Sequence, residues 1–277
     1  MVKAEQEYKK AMEYKEPAAQ AWGMAKLASL YLSQGKFEKA KDLLKQGIEW
    51  GKEHSEKWAE SNFHWYLGYM YLKSGNSEEA LREFEKSFSG YVESESLGAQ
   101  RWLAYLKGLA YLELNSIDKA QRTAAELVVM IEEGMNRKTI RYYYHLMGLI
   151  EIERENFSKA VENFKRAISL LPSQHSLTGD DHALFLDSLA LLYYKQGELE
   201  KAQEEYEKII SLTSARLAYG DIYAKAFYTL GRIYEQKGWK GKAIEHYEKF
   251  LSHWKDADPG IAEVEDAKKK MAGLKSQ

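Results

Sequence analysis

The chain has 277 residues and a formal net charge of −2 from 40 basic and 42 acidic side chains, so it lacks the basic surplus expected of a nucleic-acid binder. It contains no cysteine, which excludes disulfides, thiol catalysis and thiolate metal sites and fits a cytoplasmic setting. No apolar run reaches the ~18 residues that cross a bilayer, and the opening Met1-Val2-Lys3-Ala4-Glu5 lacks the apolar core of a secretory signal. Only three prolines interrupt the chain, which predicts a nearly all-helical fold.

In chain order, Ala4, Tyr8 and Ala11 predict a helix within residues 1–16. It reads as the second half of a helix pair whose first half is missing, so the chain is expected to be a segment of a longer polypeptide. Residues 18–255 then carry one pattern six times. Anchoring on Ala28, Gly68, Gly108, Gly148, Ala190 and Gly231 gives intervals of 40, 40, 40, 42 and 41 residues. Three residues after the anchor stand Tyr31, Tyr71, Tyr111, Glu151, Tyr193 and Tyr234. Seven after it stand Gly35, Gly75, Asn115, Glu155, Gly197 and Gly238, where the chain must turn and left-handed backbone is cheap for glycine and asparagine. Twelve after it alanine is invariant: Ala40, Ala80, Ala120, Ala160, Ala202 and Ala243. Four residues further on come Leu44, Phe84, Phe164, Tyr206 and Tyr247, with Ala124 as the exception.

A glycine inside a helix costs ~1 kcal/mol relative to alanine. Its recurrence in first helices therefore points to close helix packing, with the alanine of the second helix expected to meet the gap. Between the fourth and fifth units, His175, Asp180, Asp181 and His182 read as loop polar groups, with Asp180 or Asp181 capping the next helix. The Gly238-Trp239-Lys240-Gly241-Lys242 segment has the wrong glycine spacing for a phosphate loop. His246 and His253 are expected at the surface. Asp258 and Pro259 open a last helix over residues 258–275, whose stripe of Ile261, Val264, Ala267, Met271 and Leu274 would cap the array.

The recurring Leu-Gly-x-x-Tyr, Gly and Ala-x-x-x-Phe/Tyr spacing over residues 18–255 resembles the tetratricopeptide repeat, with Pro172 at the position of that family's closing proline. The period departs from the usual ~34 residues and is similar to long-repeat bacterial members. Trp254-Lys255-Asp256-Ala257-Asp258-Pro259 resembles the closing segment of such regions in bacterial multidomain regulators. The resemblance implies an all-α, right-handed superhelical solenoid of antiparallel helix pairs, with six repeats and capping helices at both ends. It also implies a concave groove lined by the first helices.

Projected on a helical period, the groove stripe carries Asn62, Trp65, Tyr69 and Lys73 in the second unit and Trp102, Tyr105, Leu109 and Glu113 in the third. The fourth carries Tyr142, His145, Leu149 and Glu153; Asp187 follows in the fifth and Tyr228 and Arg232 in the sixth. Aromatic anchors with polar neighbours have the composition of a binding hot spot, although the same rings could instead pack between adjacent first helices. The family's carboxylate clamp does not match, since the first unit offers Ala25 and Ser29. The expected function is a protein-interaction scaffold that holds a protein or peptide segment in the groove, within a larger regulatory protein. The alternatives are a ligand- or peptide-sensing regulatory module and a self-association module. No catalytic, cofactor or metal site is expected, nor a nucleic-acid or membrane partner.

Overall fold

The computed structural model describes residues 2–134, 137–171, 181–212 and 219–276. Among these residues there are helices and no strands. The α-helices are α1 (Val2–Ala11), α2 (Pro17–Ser33), α3 (Phe37–Glu53), α4 (Lys57–Lys73), α5 (Ser77–Glu93), α6 (Leu97–Glu113) and α7 (Ile117–Glu132). They continue as α8 (Arg141–Glu153), α9 (Phe157–Ser169), α10 (His182–Lys195), α11 (Leu199–Ser211), α12 (Gly220–Gln236), α13 (Lys240–His253) and α14 (Ala262–Ser276), and one 3₁₀ turn, Arg137–Ile140, precedes α8. The all-helical class and the repeated helix pair agree with the expectation from the sequence. The chain forms two compact units. One comprises residues 1–31 and 37–163, the other residues 32–36 and 164–277.

First and second helices bury different fractions of their circumference. In the first unit, α4 buries Ala59, Phe63, His64, Leu67, Gly68, Met70 and Leu72, residues spread around its axis. Its partner α5 buries only Ser77, Ala80, Phe84 and Ser87, a single stripe at helical spacing. The helix with neighbours on several sides is therefore the apolar one, and the amphipathic helix faces solvent on its far side.

The turns explain the residue seven after each anchor. Gly35, Gly75, Asn115, Glu155, Gly197 and Gly238 all have positive φ, between 53° and 77°. After α4 the Gly75 amide donates to the Leu72 carbonyl at 3.2 Å and the Asn76 amide to the Tyr71 carbonyl at 2.8 Å, which is the Schellman pattern that ends a helix. The same pair of bonds recurs after α6, α8, α10 and α12. The residue three after the anchor supplies the outer carbonyl of this motif, and in two of the turns its side chain also meets the residue that closes the turn. After α12, Tyr234 stacks on Trp239 with centroids 5.8 Å apart. After α8 the pair is polar instead, Asn156 Nδ2 donating to Glu151 Oε2 at 2.8 Å.

Glu155 holds a φ of 60° with no glycine to relieve it. Left-handed backbone costs a non-glycine residue ~1–2 kcal/mol, partly offset by the greater unfolded-state freedom of glycine. Glu155→Gly is therefore expected to stabilise the first unit by about 0.5–1 kcal/mol, read as a higher urea midpoint at unchanged slope. An unmoved midpoint would show that this turn carries no strain.

The glycine contacts differ from the expectation. A Cβ on Gly68 would lie 2.6 Å from the Phe84 ring and 3.2 Å from the Ala80 carbonyl, and one on Gly231 would lie 2.7 Å from the Tyr247 ring. The gap is thus filled by the large residue four after the alanine, not by the alanine itself. In the third repeat, where Ala124 replaces that ring, a Cβ on Gly108 would instead meet Leu146 of α8 at 2.5 Å. A small residue at one site and a branched one on the next helix conserve the packed volume.

The second unit closes around Trp254. This residue is 1% exposed, and its Nε1 donates to the Ser33 carbonyl at 3.0 Å. The Asp258 amide donates to the Gly35 carbonyl at 3.0 Å, and a Cβ on Gly35 would meet Ala257 at 2.9 Å. On the other side, α14 packs its acidic face on α12: Lys225 Nζ pairs with Glu263 at 2.6 Å, and the Tyr228 hydroxyl donates to Asp266 at 2.7 Å.

Two local expectations are corrected. Asp181 precedes α10 but makes no side-chain cap bond; its carboxylate accepts from the Tyr219 hydroxyl at 2.9 Å, and its backbone carbonyl accepts the Phe185 amide. His175 and Asp180 lie outside the described residues, whereas His182 is buried. His246 is not at the surface either. It is 7% exposed, and its Nδ1 lies 2.8 Å from the Lys242 carbonyl of its own helix, which lets a ring be buried without a distant partner. Burial holds its pKa below the usual imidazole range.

Candidate functional site

The groove stripes of α4, α6 and α8 come together in the first unit as a chain of rings. Tyr69 stacks on Trp65 with centroids 6.3 Å apart, and Trp65 lies 6.5 Å from Trp102. Trp102 is 5.3 Å from both Tyr105 and Tyr142, and those two are 5.1 Å from each other. His145 ends the series, its Nδ1 2.8 Å from the Tyr105 hydroxyl. This register, with Tyr105 and His145 forty residues apart, sets α6 and α8 side by side at one level.

Exposure divides these residues. Tyr105 and His145 are 0% and 1% exposed, and Tyr142 is buried beside the Arg141 guanidinium. Desolvation, with a smaller contribution from the positive charge of Lys73, pushes the His145 pKa down to about 3, so its ring is neutral near pH 7. These three residues form the packing between first helices. Trp65, Tyr69, Trp102 and Asn62 stay partly exposed, with Lys73 lying over the Tyr69 ring at 5.4 Å.

Beside the exposed rings is an open cleft of about 230 Å³ lined by Asn62, Trp65, Tyr66, Tyr91, Ala99, Trp102 and Leu103. The Tyr91 hydroxyl donates to Asn62 Oδ1 at 3.4 Å, which turns the Asn62 amide group and leaves its Nδ2 without a protein acceptor. The Trp65 indole nitrogen, on the same wall, is buried and also meets no acceptor. Burial raises the Tyr66 phenol to about 12, so it remains a neutral wall of the cleft at any ordinary pH. Tyr66 and Tyr91 were not among the residues singled out by the groove projection. Tyr91 belongs to a second helix, and its approach to Asn62 depends on how α5 leans over α4.

The stripe residues Asp187, Tyr228 and Arg232 lie in the second unit. Tyr228 is buried and engaged by Asp266 of α14. The Arg232 guanidinium lies 5.5 Å and 5.8 Å from the rings of Tyr194 and Tyr228. Asp187 is partly exposed on α10. Among the described residues no group of three or more histidine, aspartate and glutamate side chains is placed to hold a metal. No described helix is long and apolar enough to cross a membrane.

Sequence models of the tetratricopeptide repeat match residues 25–88, 142–174 and 181–256, together more than half of the chain. The chain belongs to the tetratricopeptide repeat family. No curated protein sequence matches it significantly. Among solved structures it is similar to a tetratricopeptide repeat protein from Parabacteroides merdae, with 19% identity, 100% of this chain and 92% of that one covered, and a TM-score of 0.56. It is also similar to NprR in complex with its cognate peptide NprX, with 14% identity, 99% and 81% coverage and a TM-score of 0.65. A third likeness is to a Rap protein complexed with Competence and Sporulation Factor, with 15% identity, 92% and 77% coverage and a TM-score of 0.57. At these identities the likeness is one of fold.

Proposed function

We propose that this tetratricopeptide repeat chain is a non-catalytic interaction module whose first unit holds a segment of another protein, or a peptide, against α4 and α6. The observation that carries this reading is the cleft between Trp65 and Trp102, with the amide nitrogen of Asn62 unpartnered on its wall. Cavities of ~150 Å³ accept a benzene ring, so this one suits a single large apolar side chain. Asn62 Nδ2 can donate to a backbone carbonyl beside that side chain, and the Tyr91 hydroxyl keeps the amide turned for it. Tryptophan and tyrosine dominate binding hot spots because they bury a large rigid area at small entropic cost. The NprR and Rap complexes bear on the proposal only in that this fold is compatible with a peptide ligand.

The test uses a displayed library of random twelve-residue peptides selected on the wild-type chain. Selected peptides should bind Trp102→Ala at least about tenfold more weakly, and Asn62→Ala, a smaller change at the same wall, should weaken them in the same direction. Both variants should keep the helical circular-dichroism signal. If no peptide is enriched, or if both folded variants bind as the wild type does, the cleft is not a binding site.

A further inference from the structure

We infer that the segment held by the first unit is basic, carrying a lysine or arginine about five extended residues from the apolar side chain that enters the cleft; this rests on the reading above. The observation is the way α6 and α8 end. Glu113 is the last residue of α6 and Glu153 the last of α8, and neither helix has a basic residue in its last turn. Both carboxylates are exposed, and neither has a basic partner among the described residues. A negative charge at a helix C-terminus is opposed by the helix dipole, which favours cations there. Glu93 at the end of α5 is neutralised by Lys57 at 2.8 Å; Glu53 and Glu132, which end α3 and α7, are unpaired among the described residues like Glu113 and Glu153 but belong to second helices.

The two carboxylates also share the cleft's face. Glu113 follows Trp102 by eleven residues and Glu153 follows Tyr142 by eleven, which on a helical period is three turns and roughly 20°. They therefore lie on the stripe that carries the rings, about 16 Å along the helix axis from Trp102. The Tyr105–His145 hydrogen bond sets α6 and α8 level, so the two charges sit on neighbouring helices at one end of the stripe. An extended chain covers about 16 Å in five residues. A segment anchored in the cleft thus brings its fifth residue on to two carboxylates that make no ion pair among the described residues. The positive charge nearest in register, Lys73, stands on α4 over the Tyr69 ring. It is the third member of this row and would exclude a second basic residue from the α4 side.

The same peptide selection tests this when repeated on the Glu113→Gln/Glu153→Gln double variant, whose changes are isosteric and at exposed positions. On the wild type, the pool should be enriched for lysine or arginine four to six positions from an aromatic or leucyl residue. Wild-type-selected peptides should then bind the double variant about tenfold more weakly at low salt, with the difference shrinking as salt is raised. Selection on the double variant should keep the apolar anchor and lose the basic bias. A wild-type pool with the anchor and no basic bias, or equal binding to the double variant, overturns the inference and leaves the cleft reading intact. A pool insensitive to both Trp102→Ala and Asn62→Ala overturns both. Sedimentation equilibrium adds a further arm: dimers of the wild type that the double variant abolishes would make the occupant a second copy of this chain, which also overturns the inference.

Discussion

Trp254→Ala should lower the unfolding free energy of the second unit by about 3–5 kcal/mol, the range for emptying a buried large aromatic site. The indole is 1% exposed, lies 5.3 Å from the Phe250 ring, and is hydrogen-bonded to the Ser33 carbonyl, so its removal leaves a cavity and takes away that hydrogen bond. Trp239→Ala is the comparison, because that ring is 43% exposed and closes only its own turn; its cost should stay below about 1 kcal/mol. Urea unfolding followed by circular dichroism separates the two. If both variants unfold at the same midpoint, the contacts of residues 32–36 do not hold the second unit together.

Phe84→Ala should cost the first unit about 3–5 kcal/mol as well, and its value lies in combination with Gly68. On helix propensity alone, Gly68→Ala would gain ~1 kcal/mol. A Cβ there would lie 2.6 Å from the Phe84 ring, with the α5 backbone at Ala80 3.2 Å away, so overpacking should turn the gain into a loss of about 1–3 kcal/mol. With the ring removed, the same methyl should be tolerated. The double variant should therefore be more stable than the sum of the single effects predicts, a coupling that measured unfolding free energies give directly. Additive effects would mean that Gly68 is conserved in the pattern for some reason other than the ring.

Much of the fold was legible because it is local. A residue seven after each anchor had to take positive φ, and the structure finds positive φ at all six, including Glu155, where residue type argued against it. Position in the repeat outweighed identity there, because two backbone bonds of the Schellman turn hold the conformation. What lay beyond one helix pair was not legible. The projection that put Tyr105 and His145 on the groove stripe could not say that neighbouring first helices pack through part of that stripe. Burial of 0% and 1% makes that pair core, while Trp65 and Trp102, three residues earlier on α6 in the second case, keep an open side. The substitution of Leu146 for a missing ring at Gly108 involves two different repeats, so no single copy of the pattern contained it. Even within one pair, Tyr91 meets Asn62 at a sequence separation of 29 residues, and Trp254 meets Ser33 at 221. Helical periodicity carries no information at that range.

The 221-residue separation between Trp254 and Ser33 also sets an order of events during synthesis. Repeat chains otherwise fold by nearest-neighbour contacts, each pair docking on the one already made. At ~5–20 residues per second, residues 32–36 wait roughly 10–45 s on the ribosome before the indole that receives them is translated. Throughout that interval the Gly35 turn is exposed, and its backbone carbonyl at Ser33 is bonded to water. Nascent chains arrested before residue 254 should therefore be cut by protease in this turn, and chains released after residue 258 should not.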